Sequence, residues 1–402
     1  MLLCSAQTIP RKVKVKSITD EEVVFDVGSL YAHLQGLKDR RKPRGIRYPL
    51  VAVLVMMVMS KLCGEDTPSG IADWVKHRGE QFVDFLKLRH KTMPHHSTYR
   101  RIEADVVDPQ ELEQVVSTVL AGRKFFGKQV LLSIDGKVLR GTLDEAQEGT
   151  YLLAAYLPSE GLVLMEVEME GKGCEIPGAT KLLNMVDLRE KVVMGDALHT
   201  QRAVSIQIVE AGGDYIWLAK GNQPQLEEDI RLWFEPEPNP IPGQGRVPKD
   251  FETVKETSKG HGRLEERTLT VSSQLNDFLD WPYLQQVFQL ERRFISLRTG
   301  VVQIQVVYGL TSLSREVITP KHLLKKIRAY WGIENGLHYR RDVTLREDQT
   351  RMTKGNAGHV MACLNNLVIG LVFSKTQFTY LPHARRFFDA HPTRAFALIS
   401  RL

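Results

Sequence analysis

The sequence predicts an α/β protein built on a mixed sheet, and three observations carry that prediction. From about residue 125, short apolar and β-branched runs bounded by Gly, Pro or charges alternate with helical stretches in the order β-β-β-α-β-α-β. Between about 248 and 312, apolar and polar residues alternate, as in half-exposed antiparallel strands. Before residue 120 and after about 314, the apolar spacing is helical. The expected organisation is a helical N-terminal unit (1–120), a first part of the core (121–220), a β-rich insertion (221–313), and a second part of the core with the C-terminal helices (314–402).

Each element has its own signal. "RRKPRGIRYPL" is a basic, Pro-punctuated lead-in to a buried helix around residues 48 to 63. "SGIADWVKHRGEQFVDFLKL" places Ile71, Trp74, Val75, Phe82, Phe85 and Leu86 at helical spacing. "MPHHSTYRRIEADVVDPQELEQVVSTVL" supplies two more short helices, with Ser97 or Thr98 as the expected N-cap. The core strands are "QVLLSIDG", "TYLLAAYLP", "LVLMEVEME", "KVVMGDA" and "DYIWLAKG". The helices between the last three are "GATKLLNMVDLR" and "LHTQRAVSIQIVEAG". After the Pro-rich "EPEPNPIPGQGRVP" come four further strands, "FETVKET", "RLEERTLTVSS", "QVFQLERRF" and "VVQIQVVYGLT".

Bulk properties narrow the function classes. With 402 residues, 43% hydrophobic and 25% charged, the chain can bury a sizeable core. A net charge of +6 leans toward a polyanionic partner. The four cysteines are scattered without a CxxC pair, which fits neither a disulfide framework nor a zinc site and points to a reducing compartment. The apolar run "LVAVLVMMVM" is half the roughly 20 residues of a membrane span. The N-terminal residues put basic charge after a short apolar piece, the reverse of a signal peptide. The expectation is a cytoplasmic protein with no membrane partner.

Candidate chemistry begins at "LLSIDGKVLRGT", where Asp135 ends an apolar strand-like run. Asp-Gly is also a common turn dipeptide. A second acid, Asp196 in "KVVMGDALHTQR", ends another such run just before a helix. Ligand sites in open α/β sheets form beyond the carboxyl ends of strands, so two such acids can converge there. The third is Glu334 in "LLKKIRAYWGIENGLHYRRDV". On an ideal helix, Ile327, Tyr330, His338 and Arg341 each fall within roughly 40° of Glu334. Trp331 and Leu337 flank this stripe, so Glu334 is expected to be half-buried, offset either by a basic neighbour such as Arg341 or by a bound cation. A lone glutamate there would read as a helix salt bridge.

Taken together, three carboxylates without paired Cys or His ligands suit a hard ion, Mg²⁺ or Mn²⁺. Two such ions about 3.5–4 Å apart would clamp the attacking and leaving oxygens of a phosphodiester. The basic residues near these elements are Lys137, Arg140, Lys220, His261, Arg263, Arg328, Arg340 and Arg341. His199 and His338 lie beside the acids and read as hydrogen-bonded structural histidines.

The stretches "SIDGKVLRGT", "GDALHTQ", "GGDYIWLAKGNQ", "GHGRLEER", "YWGIENGLHYRRDVTLREDQTR" and "GNAGHVMACLNNL" resemble the DDE transposases of bacterial insertion sequences, in particular the H-repeat-associated family. The resemblance runs from about residue 28 to 372, and the "W-x-I-E-N" helix with its downstream "D-V-T-x-x-E-D" is its most specific part. It implies an RNase H-like core interrupted by a β-rich insertion before the last acid, and an N-terminal helical unit that touches DNA. It also implies that Asp135, Asp196 and Glu334 hold two divalent ions per active site. The spacings agree, with 61 positions from Asp135 to Asp196 and 138 from Asp196 to Glu334.

The broader superfamily carries a Tyr, Arg, Glu, Lys signature along the last-acid helix. Here Ile327 stands at the tyrosine place, Tyr330 at the arginine place and Arg341 at the final basic place, while Arg328 is a substitute about 120° round an ideal helix. His261 and Arg263 are expected at a hairpin tip reaching the DNA backbone, the alternative being a Gly-rich turn with Glu265, Glu266 and Arg267 solvated.

The implied function is a transposase that cleaves and joins element ends. Its partners would be the terminal inverted repeats and target DNA, and it would act as a homodimer on DNA in the bacterial cytoplasm, at the nucleoid. The alternative is a domesticated, non-catalytic DNA-binding descendant, which loss of any of the three acids would favour; all three are present. A glycosidase with two carboxylates at strand ends needs eight alternating βα units, which the β-only block contradicts.

Overall fold

In the computed structural model, residues 12–16, 22–26, 29–121, 129–145, 148–236, 248–260 and 262–400 are described. A two-stranded antiparallel hairpin, β1 (Lys12–Lys16) and β2 (Glu22–Asp26), stands before the first helix, so the N-terminal unit is not purely helical. It continues with α1 (Leu30–Gln35), α2 (Leu50–Leu62), α3 (Pro68–His77), α4 (Gly79–Leu86), α5 (His96–Arg101) and α6 (Pro109–Ala121). The stretch expected as one helix is two, because the chain leaves helical geometry at Arg78. The cap of α5 is also corrected: the side chain of His95, rather than Ser97 or Thr98, accepts from the Ser97 N–H.

The core sheet has nine strands in the order β5-β4-β3-β6-β7-β11-β10-β9-β8. Its first half is β3 (Val130–Val138), β4 (Tyr151–Leu157), β5 (Leu162–Met169), β6 (Lys191–Met194) and β7 (Asp214–Ala219). β3 lies centrally, antiparallel to β4 and parallel to β6, while β6 is parallel to β7. Helices α7 (Glu175–Asn184) and α8 (Arg202–Glu210) make the crossovers. A central first strand, a hairpin on one side and parallel strands on the other form an RNase H-like core, and the apolar runs of the sequence are its buried strands.

After α9 (Pro224–Phe234), the β-rich block forms β8 (Glu252–Gly260), β9 (Arg263–Ser272), β10 (Gln286–Ser296) and β11 (Val302–Thr311). The block does not stand apart. β11 pairs antiparallel with β7, so the insertion extends the core sheet and carries its half-exposed strands away from it.

The chain then returns to the core through α10 (Pro320–Tyr330), two π-helical turns at Ile333–His338 and Arg340–Thr344, α11 (Ala357–Lys375), α12 (Leu381–Ala390) and α13 (Pro392–Ser400). Helices α2 and α11 are apolar around their whole circumference, and such helices are stable only inside a core. α11 has the length and composition of a membrane span, yet 94% of its apolar window is buried within the protein. It packs against α2, α6 and β5, joining the N-terminal unit to the sheet.

Candidate active site

Asp135 lies within β3 rather than at its end, paired with Ala154 on β4. On its other side the parallel partner β6 stops at Met194, opposite Ser133. Asp135 is therefore the second residue past the end of the β6 ladder, on a strand that runs on to Val138. Its Oδ2 lies 3.1 Å from His338 Nε2. Asp196 leaves the end of β6 and caps the 3-10 turn Ala197–His199, accepting from the Leu198 N–H at 3.0 Å. Gly195 lets the chain pass there: a Cβ on it would come within 2.7 Å of the His199 ring and 2.9 Å of Ile134.

Glu334 sits in the first π-turn, where the Tyr339 N–H bonds the Glu334 carbonyl five residues back. That widened turn breaks the 100° spacing assumed for the stripe. Ile327, Tyr330 and Arg341 do point inward, but Glu334 is exposed, not half-buried. Trp331, expected to shield it, is also exposed.

The three acids share one neighbour. Burial pushes the Tyr330 hydroxyl above its ordinary range, and the charges of Asp135, Asp196 and Glu334 all push it further. A fourth carboxylate joins them. Glu175, at the start of α7, is raised first by burial and then by Asp196 and Asp135. Donor atoms of Glu175, Asp196 and His199 lie within 4.8 Å of one another. This set of carboxylates and one imidazole suits a divalent cation.

Beside Tyr330 opens a cleft of about 430 Å³ whose lining includes Lys220, Arg263, Arg267, Arg292, Arg328 and Trp331. Glu265 also lines it, paired with Arg267 and Arg292, and the remaining basic excess attracts a polyanion. Across the cleft wall, Arg328 binds Glu256 at 2.6 Å.

Two units of the chain match family models: residues 31–119 match the DDE_Tnp_1-associated unit, and residues 126–371 match the Transposase DDE domain. The chain belongs to the DDE transposase family, in its H-repeat-associated branch. It is 26% identical over 365 residues to the H repeat-associated putative transposase YhhI of Escherichia coli (strain K12), covering 88% of this chain and 93% of that protein. It is 31% identical over 261 residues to the uncharacterized protein in the dhlA 3' region of Xanthobacter autotrophicus, covering 63% of this chain and 84% of that protein. A cryo-EM structure of the piggyBac transposase synaptic complex with hairpin DNA aligns with 91% of this chain and 78% of that one, at a TM-score of 0.41 and 11% identity.

Within this DDE transposase the basic residues named from sequence divide into groups. Lys220, Arg263, Arg328 and Tyr330 share the cleft. Arg140 follows β3 with a side chain 76% exposed. Arg340 stacks over Phe373 at 4.0 Å and reaches the Tyr156 hydroxyl at 3.5 Å. His261 lies outside the described residues; its neighbour Arg263 pairs with Gly260 at the β8–β9 hairpin end. Glu265, in the alternative reading a solvated charge, is buried against Arg267 and Arg292.

Two residues leave the DNA-facing set. Arg341 is fully buried, bonded to Glu166 and, at 2.8 Å, to Glu347. It therefore presents nothing to a phosphate and does not take the place of the superfamily's final lysine. Lys137 is 10% exposed, held by Asp342, by Glu347 at 3.0 Å and by Asp348 at 3.7 Å.

The transposase site also contains side chains that pattern reading passed over. Glu175 had no signal stronger than an acid in the first turn of a helix, where the dipole alone accounts for it. His338, read as a hydrogen-bonded histidine, does bond Asp135 through Nε2, while its buried Nδ1 and that of His199 have no hydrogen-bond partner among the described residues. His199 lies 3.8 Å from Asp196, and burial, its first cause, holds its pKa below the ordinary histidine value.

Proposed function

We propose that this transposase cleaves and joins insertion-sequence ends, with Asp135, Asp196 and Glu334 as its catalytic carboxylates. The supporting observation is that Asp135 lies just past the end of the β6 ladder while Asp196 leaves the end of β6 beside Glu175 and His199; the charges of both, with Glu334 on its π-turn, push up the Tyr330 hydroxyl. Separated acids gather like this at a metal centre, since like charges otherwise repel. Two Mg²⁺ or Mn²⁺ ions held by these carboxylates, with Glu175 beside them, would stabilise charge on the attacking and leaving oxygens. The chain's own groups position the acids. His338 holds Asp135 by its Nε2, and the 3-10 turn holds Asp196. Lys220, Arg263 and Arg328 take the phosphate backbone along the cleft, with Arg140 and Arg340 at its approaches.

The substrates are the terminal inverted repeats of the element and a target duplex, met in the bacterial cytoplasm at the nucleoid. The four-part division at residues 120, 220 and 313 stands as the functional layout, the N-terminal unit adding DNA contacts. Because strand transfer joins two ends and one chain carries one triad, the working species is a homodimer on paired ends. Light scattering of the complex with end DNA should give two chains and two duplexes; full cleavage by a one-to-one complex would refute it. The central test incubates the protein with supercoiled plasmid carrying candidate ends. Nicking and linear products should appear with Mg²⁺ and vanish with EDTA. Products that persist in EDTA would sink the metal reading, and sequence-specific binding without any cleavage would favour the non-catalytic descendant.

A further inference from the structure

A second cluster of ligand-type side chains lies inside the core, on helices that carry none of the site's acids. Glu113 on α6 and His359 and Cys363 on α11 are 2%, 3% and 0% exposed, and one donor atom from each lies within 4.8 Å of the others. His359 and Cys363 are four residues apart, so their side chains share one face of α11. α6 packs across that face and delivers Glu113.

The hydrogen bonding is incomplete in an informative way. The Cys363 thiol donates to Glu113 Oε1 at 2.8 Å. His359 Nδ1 lies 3.2 Å from Glu168 Oε2, which fixes the ring. Its Nε2 points at Glu113 Oε1 from 3.9 Å and, buried, makes no hydrogen bond. A carboxylate on one ring nitrogen and a buried, unpartnered second nitrogen is how proteins present an imidazole to a metal ion.

We infer that Glu113, His359 and Cys363 form a structural site for a thiophilic divalent cation of the zinc class, pinning the N-terminal unit to the DDE domain. One nitrogen, one sulfur and one oxygen donor select such an ion over Mg²⁺ or Mn²⁺, which prefer oxygen. Bonds of about 2.0–2.3 Å at tetrahedral angles put donors roughly 3.3–3.8 Å apart. The His359–Glu113 separation is close to that, and the Cys363–Glu113 contact opens slightly once its proton leaves. Binding releases the thiol proton to solvent, and with it any proton on Glu113; thiolate and carboxylate then neutralise the dication. A water or the second Glu113 oxygen completes the shell. The pin ties residues 31–119 to residues 126–371, the two units that the family models match separately.

Cobalt reads this site by its sulfur. Full-length reduced protein, stripped of metal and titrated with Co²⁺, should show a near-ultraviolet thiolate-to-cobalt band and visible tetrahedral bands at one equivalent, both displaced by Zn²⁺. Ions held by the site's carboxylates give no sulfur band, so Asp135→Asn should keep it, whereas Cys363→Ala and His359→Ala should lose it. The wild-type titration decides the matter even if those variants fold poorly. Absence of the near-ultraviolet band would mean a plain thiol–carboxyl hydrogen bond and would overturn the site. A band that survives Cys363→Ala, arising from any of the other three cysteines, would overturn it as well.

Discussion

The acidic site around Tyr330 and the buried ionic layer are made of the same residue types, partly from the same helical segment, and they treat charge in opposite ways. At the acidic site Glu334 is exposed and Asp196 is 52% exposed, and the charges of Asp135, Asp196 and Glu334 bear together on Tyr330. In the layer, acid and base alternate with almost every group matched. Arg341 bridges Glu166 and Glu347, Lys137 and the Asn365 amide bind Glu347, and Lys61 donates to Asn365 Oδ1 at 2.8 Å. Seven residues separate Glu334 from Arg341, and π-helical turns aim one at solvent and the other at the core. Charge left unbalanced at a surface is available to a ligand; charge matched in the interior is architecture.

Breaking the two regions should therefore give opposite phenotypes, and the largest difference is in activity. Asp135→Asn, Asp196→Asn and Glu334→Gln should each reduce strand cleavage to background in the plasmid assay. DNA binding should hold or tighten, since like-charge repulsion falls. Melting temperature should hardly move for Asp196→Asn and Glu334→Gln, because surface substitutions usually stay within about 0.5 kcal/mol. Near-normal cleavage by all three variants would remove them from the site.

The layer should respond in stability instead. Glu347→Gln or Arg341→Met leaves a buried charge unmatched, which costs about 3–5 kcal/mol. Chemical denaturation should report that loss before any DNA is added. The pH dependence has a definite sign. Burial alone would raise Glu347, but Arg341, Lys137 and the Asn365 hydrogen bond hold it down to about 2, below its ordinary 4.5. Its contribution is complete above the ordinary value and is lost as pH falls from 4.5 toward 2. Wild type should thus lose stability over that window, and Glu347→Gln should show a flatter profile there. Identical acid profiles would mean that Glu347 is not the group being titrated.

The same contrast explains what pattern could and could not reveal. Strand and helix order in the core was legible because burial imposes periodicity, and β3 through β11 all fall where apolar runs or alternation lie. The acids at Asp135 and Asp196 were legible from their place beyond apolar runs. The orientation of Glu334 was not, because a π-turn has no signature in side-chain spacing. Nor did sequence separate Arg341 from Arg328, as both are basic residues near an acid. The difference lies in partners 175 and 72 positions away, Glu166 for one and Glu256 for the other. Glu347 and Glu166 stayed hidden for the same reason, although "D-V-T-x-x-E-D" contains the first of them. In the structure Asp342 and Glu347 of that motif hold Lys137.

The smallest expected effect is also the finest discriminator among the cations. Each phosphate neutralised releases condensed counterions, so log affinity falls against log salt with a slope near −0.9 per phosphate contact. Lys220 and Arg263 line the cleft and are exposed, so Lys220→Ala and Arg263→Ala should each make the slope shallower by about 0.9. Arg328 already carries Glu256 at 2.6 Å, so its net contribution is smaller and Arg328→Ala should change the slope by less. In the N-terminal lead-in, Arg41 is bound to Asp39 and to the Tyr48 carbonyl, whereas Lys42 and Arg44 are exposed. Arg41→Ala should leave the slope unchanged, while Lys42→Ala and Arg44→Ala should reduce it if this unit lies on DNA. Binding isotherms on end duplex between 50 mM and 200 mM salt, spanning about a twofold change in Debye length, resolve such slopes. Equal slope changes for Arg41 and Lys42 would show that the ion pairs at the surface open freely on DNA. Paired and unpaired cations would then differ only in the core, where water cannot replace the partner.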